Sequence, residues 1–231
     1  MAKTSTAQKP ERQAKIRSGR PPKKLAGQVD ERILDAARQV FLDRGFEGAS
    51  IEEIADTARS GKPTIYARFP NKEALFAAVV MRSILSRIDE LKAEVPSGDT
   101  IEERFTKMAV LILEWVLVSN HIGLLRLAIG EARRFPDLAA RVGTVARERG
   151  SQSLARLLAD LAQSDELAKL PAFAPDHLAA TARVFLDIIL LPLMLRALLG
   201  EDLASLHAEI GAHVARGVAF FVTGCRHLGV E

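Results

Sequence analysis

The sequence is poor in the residues that staple, export or catalyse. Its 231 residues include one cysteine, Cys225, so no disulfide can form within the chain. No charged-then-apolar leader with a small-residue cleavage site opens it, and export is not expected. A reducing cytoplasm fits both observations. Long apolar runs are scarce too. The most apolar stretch, Val184 to Leu199, falls short of the roughly 20 residues of a membrane span, and Asp187, Pro192 and Arg196 interrupt it. It reads as a buried or interface helix, and no membrane partner is expected. Enzyme signatures are missing: there is no P-loop, no GxSxG, no HExxH and no Cys/His cluster at metal-ligand spacing. His121, His177, His207, His213 and His227 are scattered, and the spacing of six from His207 to His213 does not make a same-face ligand pair. No catalytic residue, metal or cofactor is expected.

What is present is ordinary in bulk, with 48% hydrophobic and 26% charged residues, enough for a sizeable core. The charge is uneven. Residues 1–28 carry eight basic groups against one acid, a net +7; the whole chain is +3, so the other 203 residues sum to −4. A basic arm on a mildly acidic body points to nucleic acid as the arm's partner. Residues 1–27 also lack apolar periodicity and hold Pro10, Pro21 and Pro22, a composition expected to stay disordered without DNA. Within them, Gly19-Arg20-Pro21 resembles the core of an AT-hook. Arg20 either lies in a narrow A·T-rich minor groove beside the operator or belongs to a tail that attracts DNA nonspecifically. Both readings predict steep salt dependence.

Beyond the arm the chain reads as all-α, about nine helices, because Ala, Leu, Glu and Arg dominate and alternating β-branched runs are absent. Asp30 is a plausible cap for a first helix with Ile33, Ala37, Val40 and Phe41 on one face. Gly45 stops it, and Phe46 packs back. Ser50-Ile51-Glu52-Glu53 has the form of a capping box opening a second helix, with Ile51, Ile54 and Ala55 inward. A tight turn at Arg59-Ser60-Gly61 leads to a short third helix with Pro63 in its first turn. Asn71 caps a fourth. Further helices are expected near 100–118, 121–134, 137–164, 176–199 and 202–223.

Two short helices joined by a tight turn, the second polar on one side, describe a helix-turn-helix. Ile65 and Phe69 should face the core, leaving Lys62, Pro63, Thr64, Tyr66 and Arg68 to meet phosphates and base edges in a major groove. Ser50 at the head of the second helix joins that DNA-facing set. On pattern alone, a short surface helix in an α-bundle is the competing reading.

Ile33-Leu34-Asp35-Ala36-Ala37, Phe41, Gly45, Ile51, Ile54-Ala55, Thr64-Ile65-Tyr66, Phe69 and Lys72-Glu73-Ala74-Leu75 together resemble the tetracycline-repressor (TetR/AcrR) family. The resemblance covers roughly residues 30–77. It implies an all-α homodimer, usually a repressor, with a DNA-binding domain over 28–76 and an effector-binding and dimerisation domain over 77–231. It puts Lys62, Pro63, Thr64 and Tyr66 where members of that family touch DNA, and Lys72 on a phosphate-contacting position. An ammonium at a helix N-terminus is otherwise poorly placed. The chain departs from the family at the turn: Arg59 stands where glycine is common, and Gly61 where a serine could cap the third helix.

In the C-terminal part, Phe105, Met108, Ile112 and Trp115 share a stripe that Phe185 and Ile189 can face. They form either an effector pocket or plain core. Leu203, Leu206, Ile210, Val214, Gly217 and Phe221 recur at three and four, as a dimer face or as intrachain core. Asp187, an acid in an apolar helix, needs a partner: Arg126, Arg133, His121, a cationic ligand or an ion pair across a dimer. The function expected is a cytoplasmic, sequence-specific regulator with double-stranded DNA, a second copy and an unidentified small effector as partners. An architectural DNA binder without an effector is the alternative.

Overall fold

The computed structural model describes residues 23–90, 98–162 and 169–227. Ten α-helices run through them: α1 (Lys23–Gly48), α2 (Ile51–Thr57), α3 (Lys62–Tyr66), α4 (Lys72–Glu90), α5 (Ile101–Val116), α6 (Ser119–Gly130), α7 (Pro136–Ala162), α8 (Leu178–Ile189), α9 (Leu191–Leu198) and α10 (Leu203–His227). No strand occurs among the described residues. Arg20 and the Gly-Arg-Pro segment lie outside them.

The first helix starts earlier than its sequence signals suggest. Lys, Leu, Ala and Gln are good helix formers, Gly27 costs only about 1 kcal/mol and no proline intervenes, so the helix runs from Lys23 through Asp30. That carboxylate is free for another use, described below. At the other end the expected stop is real: Gly45 has φ 72° and ψ 176°, a conformation essentially confined to glycine, and the helix breaks there. The break turns Phe46 inward. Its ring meets Phe41 at 6.0 Å, Phe76 at 5.2 Å and Phe135 at 5.0 Å between centroids.

Two cores result. The first unites Ile33, Ala37, Phe41 and Phe46 of α1 with Ile54 of α2, Ile65 of α3, and Leu75, Phe76, Val79 and Val80 of α4. Leu124 and Ala128 of α6 and Leu138 and Val142 of α7 belong to it as well, so apolar packing does not stop at the boundary near residue 76. The second joins α5, the C-terminal half of α7, α8, α9 and α10. At the joint, His121 is buried, and its Nδ1 lies 3.1 Å from Ser83 Oγ of α4.

One expected helix is two. The apolar run from 176 to 199 bends by 47° between α8 and α9, because Pro192 in the first turn of α9 cannot donate to an upstream carbonyl. Arg126 of α6 donates to the carbonyls of Ala197 and, at 3.1 Å, Leu198, closing the C-terminal end of α9. Among the described residues, no single helix is long and apolar enough to cross a membrane.

No heavy atom lies within 4 Å of where a Cβ on Gly45 would sit, so an alanine there costs conformation and not space. Gly45→Ala should lower the free energy of unfolding by about 1–3 kcal/mol. A lower urea midpoint at unchanged slope is the expected reading; an unchanged midpoint would mean the turn relaxes freely.

Candidate nucleic-acid interface

α2 is held at its head by Ser50, whose Oγ accepts from Glu53 N at 3.1 Å. The reciprocal half of the capping box is absent: the Glu53 carboxylate takes Arg44 Nε at 3.2 Å instead. Ser50 is therefore a cap, with its hydroxyl already engaged. The turn after α2 bends at Arg59, whose φ of 48° is unusual for a residue with a side chain. α3 follows, five residues long and without a side-chain cap at Gly61.

Ile65 anchors α3 at 0% exposure. The opposite side leaves Lys62, Pro63 and Ala67 exposed, Thr64 half-buried, and Tyr66 50% exposed. A half-exposed tyrosine on a short helix is unfavourable in water and well suited to stacking and hydrogen bonding at base edges. The two cations of this segment are not free. Lys62 donates to Glu52 of α2, and its hydrogen bond holds the Glu52 carboxyl below the usual carboxylate range. Arg68, expected among the DNA contacts, is half-buried and donates to Asp30 of α1 and to Thr64 O.

Lys72 opens α4 beside the capping Asn71, whose Oδ1 accepts from Ala74 N at 2.7 Å. Its ammonium donates to Ala49 O at 3.0 Å and Glu47 O at 3.3 Å, and stands 4.6 Å from the centre of the Phe46 ring. Arg134, from the link between α6 and α7, pairs with the Glu47 carboxylate and lies over the same ring. Lys72 is thus both a cation at the candidate DNA face and a pin for residues 46–49 beyond the break at Gly45.

These pairings were not legible in the sequence. Asp30 and Arg68 are 38 residues apart, and Glu47 and Arg134 are 87 apart, so no local spacing announces either.

Residues 33–79 match the family model for bacterial regulatory proteins of the tetR family, and residues 103–224 match that for the C-terminal domain of AefR-like transcriptional repressors. The second match alone covers more than half of the chain. The chain belongs to the TetR/AcrR family. The HTH-type transcriptional activator FasR of Mycolicibacterium smegmatis is 45% identical over 58 residues, which are 24% of this chain and only 26% of FasR. The uncharacterised HTH-type regulator YvkB of Bacillus subtilis is 26% identical over 196 residues, 85% of this chain and 96% of YvkB. A TetR-family regulator from Mesorhizobium loti superposes with a TM-score of 0.70 at 25% identity, covering 84% of this chain and 97% of that one. The protein is therefore a transcriptional regulator with a DNA-binding helix-turn-helix, and α2 and α3 are its two helices.

Both C-terminal residue sets lie in the protomer's own core. Phe105, Met108, Ile112, Phe185 and Ile189 do come together, with half-buried Trp115 on the same helix as the first three, but as packed core. The Phe105 ring lies 5.3 Å from Phe221, 5.4 Å from Phe185 and 6.3 Å from Phe173. The expected dimer stripe needs correction. Leu206, Ile210, Val214 and Phe221 are buried in the protomer's own core, and Leu203 packs against its edge. Gly217 faces α8 of the same chain, where an added Cβ would meet Ile189 Cδ1 at 2.7 Å. A three-and-four repeat reports that a face is buried, but not against which molecule.

Two of the candidate partners of Asp187 are engaged elsewhere, Arg126 at the end of α9 and His121 at Ser83, and Arg133 is exposed. Asp187 is exposed on α8, near the exposed Val184 and Leu191. Burial pushes the Cys225 thiol up to about 11. Among the described residues, no group of three His, Cys, Asp or Glu side chains is placed to hold a metal.

Glu52→Gln removes the carboxylate that occupies Lys62 beside the recognition surface. Affinity for a random duplex at low salt should rise by up to about fivefold, with the gain fading as salt is added. Unchanged affinity would mean that Lys62 never reaches the duplex.

Proposed function

We propose that the protein is a ligand-released repressor acting in the cytoplasm as a homodimer on a palindromic operator. The observation that carries the DNA half of this reading is the exposed Tyr66 beside Thr64 and Pro63, held outward by the buried Ile65. Each protomer supplies one recognition helix, and two copies read half-sites about one DNA turn, ~34 Å, apart.

The homodimer reading is supported by apolar surface that the protomer leaves uncovered. Val184 and Leu191 on α8 and α9, Leu195 at 51% and Phe220 at 80% exposure are large side chains facing outward. The outer side of α10 adds the exposed Ala208, Ala212, Ala215 and Ala219, small enough for close helix approach. A second copy covers this face, and Asp187 then meets a basic group of the partner.

Release by a ligand is argued from the way the two cores meet. Ile122 of α6 belongs to the C-terminal core, whereas Leu124 and Ala128 belong to the DNA-binding core. A molecule that displaces a ring of the Phe105 cluster moves α6 and the α6–α7 link. The link reaches residues 46–49 through Phe135 and Arg134, and those residues hold Lys72. The spacing of the recognition helices changes as a result. Activation is the second reading, favoured by the local similarity to FasR, an activator; reporter transcription with and without the protein separates the two.

The first test is binding to DNA flanking the protein's own gene against random DNA of equal length. A preference of about 10³-fold or more is expected, and Tyr66→Ala should abolish most of it without lowering thermal stability. Equal affinity for both duplexes would defeat the specific-regulator reading at that DNA. Phe220→Glu should shift the protein to monomer by sedimentation velocity and weaken binding to the full palindrome more than to a half-site. A dimeric Phe220→Glu variant would place the interface elsewhere.

A further inference from the structure

The geometry points to Arg68 as a positioning residue that sets the angle of the recognition helix through Asp30, and not as a DNA ligand. This rests on the DNA-binding reading above. α3 has only five residues, one fully buried side chain and no side-chain cap, so packing at Ile65 fixes its depth but opposes rotation about that contact weakly. Arg68 lies two residues past its end. There Nε donates to Asp30 Oδ1 on α1, and Nη1 donates to Thr64 O at 3.2 Å. A planar fork engaged at two points fixes direction as well as distance. One arm of that fork holds α3's own backbone and the other holds α1.

Another face of α1 holds α4. Arg82 donates to Glu31 Oε2 at 2.6 Å and to Asp35 Oδ1 at 2.7 Å. Asp30 on one face, and Glu31 with Asp35 on another, are each held by an arginine, so one guanidinium near α3 and one on α4 both grip α1. Both helices that present residues to DNA are referenced to it. Charge argues in the same direction. A phosphate drawn to the Arg68 guanidinium would stand beside the Asp30 carboxylate, a like-charge contact that offsets the attraction. The Arg68 side chain is 25% exposed, against 47% for Lys62, so less of it is open to a duplex.

Salt dependence separates a positioning residue from a phosphate ligand, because only phosphate contacts release counterions. The parent protein, R68A, R68K, D30N and the charge swap D30R/R68D would be titrated across a salt series. The DNAs are a random duplex and the duplex that the parent enriches from a random pool. Thermal melts establish that each variant is folded at the assay temperature.

On the enriched duplex, R68A, R68K and D30N should each lose about tenfold or more in affinity, with the slope of log K against log salt unchanged. D30R/R68D should recover most of the loss. The D30N result is diagnostic, because removing an anion near DNA would tighten binding if charge alone mattered. On the random duplex, R68A and the parent should have equal slopes.

An R68A slope shallower by about 0.9 on either duplex, with R68K at full affinity and D30N equal to or tighter than the parent, would overturn the proposal. If the parent enriches no sequence, the specific-regulator reading fails. The random-duplex slopes still decide the role of Arg68, and the R68K and swap variants decide it should R68A be unfolded.

Discussion

The burial of Phe46 is the contact on which the rest of the DNA-binding end depends. Its ring closes a cluster with Phe41, Phe76 and Phe135, drawn from α1, α4 and the link before α7. It reaches that place only because Gly45 takes a backbone conformation that other residues avoid. Burying a phenylalanine side chain is worth about 1.5–3 kcal/mol, more than any one exposed ion pair nearby. The ring also supplies the face over which Lys72 and Arg134 sit. Depth and cohesion at this end are therefore apolar in origin, and the polar contacts are arranged around them.

Polar contacts nevertheless decide direction. α3 is too short to stabilise itself by its own backbone bonds, since nucleation of so short a helix is unfavourable. Ile65 ties it to the core at a single point, and the flanking charges do the aiming. Lys62 reaches back to α2 and Arg68 across to α1, so the two ends of the recognition segment are referenced to different helices. With both cations engaged, the groups left open on the helix are Pro63, Thr64, Tyr66 and Ala67. That set offers shape, methyl groups and single hydrogen bonds and carries no charge of its own.

The features legible in the sequence were local or periodic. Gly45, the Ser50 and Asn71 caps, Pro63 in the first turn of α3, and the inward Ile33, Ile54 and Ile65 each follow from chemistry within four residues or from helical period. What escaped was relational. The Asp30 carboxylate looks like a cap because aspartate before an apolar stripe usually is one; its use as the partner of Arg68 depends on a residue 38 positions away. The break at Pro192 was visible as a residue, but the apolar texture on both sides concealed the two directions it separates. The α10 stripe shows the same limit. Leu206, Ile210 and Val214 announce burial, while the outward-facing Ala212, Ala215, Ala219 and Phe220 look unremarkable in sequence.

The distribution of core residues also constrains how the two ends can communicate. Among the described residues, α4 contributes side chains to the DNA-binding core only, from Leu75 to Ile84. α5, α8, α9 and α10 contribute fully buried side chains only to the other. Two helices belong to both: α6, with Ile122 on one side and Leu124 and Ala128 on the other, and α7, with Leu138 and Val142 against Leu154, Leu157 and Leu158. Closely packed interiors transmit displacement and do not absorb it. The packed route from the C-terminal core to the DNA-binding core therefore runs through α6 and α7. The Arg134–Glu47 pair and the Phe135–Phe46 contact lie where those two helices join, one residue pair from the carbonyls that hold Lys72. The Lys72 end of α4 is thus tied to that link through Glu47, a connection separate from the packing of the rest of the helix.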